Sequence, residues 1–353
     1  MTTPALIAAA TLAVAAGAVR RWYRSFAWET AEDERHVART SDGWNLGLYR
    51  YRARGAARPV PVLCSHGMAG TRLIYDLHPD YSLARFLAAN GFDTWLVDLR
   101  GRQRSWPDGG GDARLQWSFD DFVDRDLPAA VSRVCEISGA GDVFWIGMEM
   151  SGQALYAAAI AGTAGRVRAG VTCGAPARTP PTAMVPGVTA APRVRRAGRV
   201  PFRAGARLAG PILAYARASV LESSFRPCNV DPLVVARYFR NGIPDEATDL
   251  IDQFSAWIRE GRMLSRDGSR IYSDRLDEIR LPLLVLAAER DLQRPADSVR
   301  DTFEALGSAD KTFVRAGLAN GFRVGYGHDD LLAGRASPLE IFPRIRDWLV
   351  ERS

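Results

Sequence analysis

The sequence predicts an α/β fold: a mostly parallel central sheet flanked by helices, with a helical insertion late in the chain. Three observations carry this. Short apolar runs without alternation recur at Val60 to Cys64, Phe92 to Leu99, Val143 to Met148, Val167 to Cys173 and Leu281 to Ala288. Strands buried on both faces of a parallel sheet read that way. Helical stretches separate these runs, and strand–helix alternation implies parallel pairing through right-handed crossovers. From about Arg178 to about Asp277 the alternation stops, and Pro-rich and helical pieces without strand signal take over. The predicted division is an apolar N-terminal helix (1–25), a core in two parts (26–177 and 278–353) and an inserted helical lid (178–277).

Composition narrows the class. The 353 residues are 47% hydrophobic and 9% aromatic, which suits a sizeable core and excludes global disorder. The net charge is +6, and every basic residue except Lys311 is arginine. That bias reads as genome-wide. Basic and aromatic residues do not alternate along any strand or helix, so no nucleic-acid partner is expected. Cys64, Cys135, Cys173 and Cys228 lie far apart, with no CxxC and no metal-ligand spacing. No metal or organic cofactor is expected, and a reduced, cytoplasmic setting fits best.

Ala5 to Val19 is uncharged and Ala-rich, followed by Arg20-Arg21-Trp22-Tyr23-Arg24. Such a helix spans roughly 22 Å, short of the roughly 30 Å hydrocarbon core of a bilayer. A signal peptide carries its basic residues before the apolar run, and here they follow it. A peripheral or weakly anchored helix, a plain structural helix and a signal peptide stay open, in that order.

Taken along the chain, His36 to Arg52 alternates around a Ser41-Asp42-Gly43 turn, a hairpin signal. Arg54 to Pro59 is a loop, and the Val60 strand runs into the Gly-rich turn Ser65-His66-Gly67-Met68-Ala69-Gly70. Leu83 to Asn90 reads as a helix closed by Gly91. The next strand ends at Asp98-Leu99-Arg100-Gly101. Phe119 to Glu136 is helical, with Asp120 and Asp121 in its first turn, where the helix dipole favours acids. Late in the chain a helix runs from Leu339 to Val350.

The centre of the chain is Val143-Phe-Trp-Ile-Gly147-Met148-Glu149-Met150-Ser151-Gly152, a buried strand, a tight turn and a helix start. A nucleophile elbow with the pattern G-x-S-x-G occupies such a turn in α/β-hydrolases. Here Glu149 holds the Ser position and Ser151 the last Gly. Ser151 itself is not centred in such a pattern, because Glu149 and Gln153 flank it; Ser65 and Cys173, at neighbouring strand ends, are weaker alternatives. The backbone N–H groups of Met68 and Met150 are the candidate oxyanion donors, with His66 and Gly67 lining the substrate pocket. An ordinary strand-to-helix turn that uses Gly for its backbone freedom is the plainer account of His66-Gly67. Asp291 follows a late strand and is placed to orient an imidazole, or to cap the helix starting near Ala296. His328, in Gly325-Tyr-Gly-His-Asp-Asp330, supplies the base position. The order Glu149, Asp291, His328 matches Ser…Asp…His.

These motifs together resemble bacterial lipase-like α/β-hydrolases, near the polyhydroxyalkanoate-synthase and acid-lipase branch. The resemblance rests on Asp42-Gly43-Trp44, Ser65-His66-Gly67, Asp76-Leu77, Tyr81 to Arg85 and Leu99-Arg100-Gly101. It continues through Tyr238 to Ile243, Asp267-Gly268-Ser269 and Gly327 to Leu332, and so covers roughly Arg39 to Val350. It implies triad positions for Glu149, Asp291 and His328, a substrate pocket that includes Tyr238, and an apolar, lipid-like ester or related substrate. The family carries Ser or Cys at position 149, so acyl-enzyme chemistry does not transfer.

A carboxylate nucleophile is known in this fold, in proteins resembling epoxide hydrolases and haloalkane dehalogenases, where it attacks an sp³ carbon. Glu is longer than their Asp by roughly 1 to 1.5 Å, and attack on an ester carbonyl would give an anhydride. If Glu149 and Asp291 both face His328, the imidazole is held protonated and cannot act as a base. Two functions follow: a hydrolase with an atypical Glu, or a catalytically silent homologue that binds an acyl-type ligand or a partner protein. Arg193, Arg195, Arg196, Arg199, Arg203 and Arg207 add a basic amphipathic stretch to the lid. It suits either a solvated face or a peripheral membrane contact. The oligomeric state is not legible.

Overall fold

The computed structural model of the chain describes residues 3–109, 116–178, 194 and 197–353, and for residues 3–12 the backbone alone. Helix α1 (Thr3–Arg24) precedes a hairpin of β1 (Glu34–Arg39) and β2 (Trp44–Tyr51), turning at the predicted Asp42-Gly43. Then come β3 (Val62–Ser65), α2 (Leu83–Ala89), β4 (Thr94–Asp98) and the two-residue β5 (Trp106–Pro107). A helical turn (Phe119–Asp121) and a π-helical stretch (Phe122–Asp126) lead into α3 (Leu127–Ser138). Next are β6 (Val143–Met148), α4 (Met150–Ala161) and β7 (Val167–Cys173). The insertion contributes β8 (Arg199–Val200), α5 (Phe202–Tyr215), α6 (Pro232–Arg237), β9 (Glu246–Ala247) and α7 (Thr248–Glu260). The core resumes with β10 (Leu283–Ala288), α8 (Ala296–Ala305), β11 (Lys311–Ala316) and α9 (Ser337–Val350).

The large sheet runs β1-β2-β4-β3-β6-β7-β10-β11, with β5 paired to β2. The β1–β2, β2–β4 and β2–β5 pairs are antiparallel, and every pair from β4 through β3 to β11 is parallel. Side chains alternate across the pleat, so each strand feeds two apolar layers. Val62, Cys64, Phe144 and Ile146 face α2 and α9, whereas Leu63, Trp95, Val97 and Trp145 face α3 and α4. Strands β3, β4, β6 and β10 are buried at every residue, which is why they lack the polar alternation of a half-exposed strand.

Pairing of Ser65 with Gly147, and of Met148 with Cys173, brings the carboxyl ends of β3, β6 and β7 to one rim. The chain leaves β3 for β4 on one side and returns to β6 on the other. Such a switch point opens a crevice above the strand ends.

One expectation needs correction. The insertion is not strand-free, because Arg199–Val200 pairs antiparallel with Glu246–Ala247. Two residues per strand are too few for a period-two signal. Arg193, Arg195 and Arg196 lie outside the described residues. Among those described, no helix is long and apolar enough to cross a membrane.

Candidate functional site

Glu149 sits between β6 and α4 with φ 47° and ψ −109°. Positive φ is uncommon for a residue with a Cβ, and holding it there costs about 1–3 kcal/mol. Close packing enforces the turn. A Cβ on Gly147 would lie 2.6 Å from the Gly152 nitrogen, and one on Gly152 would lie 2.6 Å from the Ala175 Cβ. Ser151 stands where the pattern has its second Gly, and its hydroxyl is used. It donates to the His66 carbonyl (2.5 Å) and is hydrogen-bonded to Ser65 Oγ (2.7 Å), tying α4 to the end of β3. Fully buried and doubly bonded, Ser151 is no nucleophile.

The turn after β3 is held from several sides. Leu99 N–H donates to His66 Nε2 (3.2 Å), so the proton sits on Nδ1, which donates to the Gly67 carbonyl (2.8 Å). Burial, with Arg102 beside it, pushes the His66 imidazolium down to about 4. His66 therefore lines the cavity as a neutral, fixed ring. Ala69, at φ 50°, donates its N–H to Glu246 Oε2 (3.1 Å), and buried Glu246 is itself clamped by Arg102 at 2.5 Å and 3.1 Å. Met68 N–H thus points into the site from a rigid loop.

Asp291 and His328 lie in hydrogen-bond contact. His328 Nδ1 lies 2.6 Å from Asp291 Oδ2, and both side chains are buried. Asp291 does not cap the helix that starts at Ala296, whose N-cap is Pro295; its Oδ1 instead accepts the backbone N–H of Gln293 (2.8 Å) and Arg294 (2.7 Å) in the turn before that helix. Glu149 follows β6, Asp291 lies in the turn after β10 and His328 in the loop that follows β11, in the chain order of a nucleophile–acid–base triad.

Residues 60–317 match the α/β-hydrolase fold family. The chain belongs to that family. Mouse (Mus musculus) lipase member K is 34% identical over 129 residues, covering 32% of this chain and 31% of its own. The tear acid lipase-like protein of Mesocricetus auratus is 31% identical over 124 residues, covering 32% and 31%. The chain thus spans under a third of these relatives' length. Among solved structures, a soluble variant of monoglyceride lipase from Saccharomyces cerevisiae superposes with TM-score 0.59 over 92% of this chain and 97% of its own, at 16% identity. Paleococcus ferrophilus monoacylglycerol lipase gives 0.55 at 18% identity, covering 87% and 99%. At those identities the structures establish the fold. The predicted fold and the coarse resemblance to lipases are borne out.

In this α/β-hydrolase fold, the Glu149 side chain does something the sequence did not suggest. Oε2 accepts the Met68 N–H at 2.8 Å, the donor expected for an oxyanion. Oε1 pairs with Arg294 through Nη2 and through Nε at 3.2 Å. Gly67 leaves room for this, since a Cβ there would lie 3.0 Å from Oε2. Burial works against a charged Glu149, but Arg294, the His328 imidazolium and the Met68 N–H outweigh it and hold the carboxyl below its ordinary range. Glu149 is therefore ion-paired with Arg294. The longer Glu side chain can fold back onto the turn. Burial likewise disfavours the His328 imidazolium, yet Asp291, with Asp329 and Glu149 beyond it, pushes it up to about 9.

Met150, the other candidate donor, opens α4 with its side chain in the core. Tyr238 closes the site from the insertion, and its hydroxyl would lie 3.3 Å from a Cβ on Gly70. With His66, Gly67, Met68, Glu149 and His328 it lines a cavity of about 150 Å³. A larger apolar cleft of about 650 Å³ runs beneath α5 and shares Met68, Ser224, Phe239, Ile243 and Gln293 with that cavity. Arg294 stands in its wall. Among the described residues no cluster of His, Cys, Asp and Glu is arranged to hold a metal. Arg294 and Gln293 were missed because one arginine in so Arg-rich a chain carries no signal. Their place just after Asp291 was the only cue.

Proposed function

We propose that this protein binds an apolar acyl-type ligand in a lipase-like pocket and forms no acyl-enzyme at neutral pH. The observation that carries the reading is the 2.8 Å hydrogen bond from Met68 N–H to Glu149 Oε2, with Arg294 on the other oxygen. Glu149 fills the place where an ester's developing oxyanion would be stabilised. Both of its oxygens are engaged, which blunts it as a nucleophile. A histidine whose imidazolium persists to about pH 9 is a poor general base at pH 7. The cleft supports the ligand class, because mostly apolar side chains line it from Phe202 to Ile251 and a chain-like ligand can reach the cavity from it. A partner protein on the same pocket is the less favoured form of this reading.

A second reading is a hydrolase for lipid-like esters with an atypical Glu. The intact Asp291–His328 pair favours it, as do the lipases among the relatives. In that reading His328, once deprotonated, activates water directly.

Two measurements on purified protein separate the readings. Turnover is measured on p-nitrophenyl esters of increasing chain length, on epoxides and on haloalkanes. Ligand binding is measured by displacement of a fluorescent fatty-acyl probe with octanoate and a short monoacylglycerol. Binding without turnover supports the first reading. Turnover that disappears in Glu149→Gln or His328→Ala establishes the second.

A further inference from the structure

Helices α1 and α5 lie 185 residues apart in sequence and side by side in the fold. Tyr23 Oη donates to the Leu208 carbonyl (2.5 Å), and the Tyr215 ring packs against Trp22 (5.9 Å) and Phe26 (5.7 Å). Neither helix hides its apolar side chains there. Residues 13–21 of α1 are all exposed, Val14 by 73%. On α5, Leu208 is 69% exposed and Ile212 53%, with half-exposed Tyr215 completing an i, i+4, i+7 stripe. Exposed apolar side chains on two helices that touch at Tyr23–Leu208 and Trp22–Tyr215 call for a partner.

The surrounding charge specifies which partner. Neither α1 nor α5 contains an acidic residue. Arg20, Arg21, Arg24, Arg203 and Arg207 are exposed and form no ion pair with any described residue. Burial, then crowding by Arg240 and Arg203, holds the Arg207 guanidinium below its ordinary range. Asp245 accepts the Arg203 backbone N–H, but its carboxylate pairs with Arg199 (3.7 Å). Val220, 60% exposed, lines the cleft beneath α5, so the cleft reaches solvent just beyond the C-terminal end of α5, the end that carries Tyr215.

We propose that the α1–α5 face docks on an anionic phospholipid surface. Val14, Trp22, Leu208 and Ile212 enter the acyl boundary while the arginines meet headgroup phosphates, the arrangement of an interfacial rather than a spanning helix. Docking sets the cleft mouth against the bilayer, where an acyl-type ligand resides. That delivery role rests on the pocket reading above, whereas the docking itself does not.

The test is flotation of the full chain with vesicles of phosphatidylcholine alone or mixed equally with phosphatidylglycerol. Binding is expected only with the anionic lipid, and is expected to disappear in about 1 M salt, where the screening length is about 3 Å. One kcal/mol per arginine at an anionic surface is about fivefold in partitioning. Arg203→Ala/Arg207→Ala should therefore weaken binding by about 25-fold, and Leu208→Asp/Ile212→Asp should abolish it. All four residues are exposed and lie off the cleft wall, so octanoate displacement without vesicles should be unchanged in both variants. Absence of binding to anionic vesicles, or binding that survives both pairs of substitutions, overturns docking. So does a concentration-dependent dimer, measured by analytical ultracentrifugation, that Leu208→Asp dissociates, since a second copy would then cover the face. Failure of octanoate binding in the native protein overturns the pocket reading and leaves docking standing.

Discussion

The backbone N–H of Arg294 donates to Asp291 Oδ1 at 2.7 Å, and this bond couples the two halves of the site. The carboxylate whose other oxygen orients His328 also fixes the residue that neutralises Glu149. Asp291, His328, Arg294 and Glu149 therefore form one charge network. A change at any member is felt by the rest.

Glu149→Ser is expected to introduce esterase activity. It vacates the Met68 N–H and puts a hydroxyl at the elbow tip. Without the Glu149 charge, His328 should also titrate closer to neutrality, as a general base requires. Hydrolysis of p-nitrophenyl butyrate should rise at least about tenfold above the native protein, within the range that positioned acid–base catalysis supplies. Adding His328→Ala should remove the gain. Persistent inactivity in a folded variant would count against Asp291 and His328 as the acid and base positions.

Arg294→Met leaves the buried Glu149 carboxylate without its cation. Breaking a buried pair from one side costs about 3–5 kcal/mol. Urea unfolding at pH 7 should show a loss of that order. Arg294→Met/Glu149→Gln should recover much of it, because the uncompensated charge is gone. A double variant as unstable as the sum of the singles would mean that the pair is not coupled.

His328 and His66 make opposite contributions to the pH dependence of stability. His328 has a folded pKa of about 9, above its usual 6.5. Its stabilising contribution is therefore complete below 6.5 and is lost as pH rises through 9, on the order of 3 kcal/mol in all. His66, lowered to about 4, works in the opposite sense: its contribution is complete above 6.5 and declines as pH falls toward 4. Thermal melts of His328→Gln should lack the alkaline decline between pH 7 and 9, and imidazole NMR should show His328 protonated at pH 7.5. Asp291→Asn should bring that titration down toward 6.5.

Gly152→Ala should destabilise by at least about 2 kcal/mol, since its Cβ would lie 2.6 Å from the Ala175 Cβ and overpacking at rigid contacts is costly. Ala175→Gly in the same chain should return part of that loss. Gly147→Ala meets only backbone, at 2.6 Å, and no single side-chain change should rescue it. Denaturant midpoints of the three variants test the order.

The sequence by itself determined the scaffold. Fully apolar strand runs, Gly147 in the elbow turn, and the order Glu149, Asp291, His328 are local or ordinal signals, because burial on both faces and tight turns restrict residue type. The hairpin at Asp42-Gly43 was legible for the same reason. Tertiary structure alone decided what Glu149 does. A carboxylate at the elbow can face His328, solvent or the turn after β3. The choice followed from Met68 N–H, held by His66 and by the distant Glu246–Arg102 clamp, and from Arg294, delivered by Asp291. None of these has a spacing relation to Glu149 that a sequence exposes. The charge on Glu149 is balanced through contacts between chain segments 81 to 145 residues apart, and such balance exists only once the chain is folded.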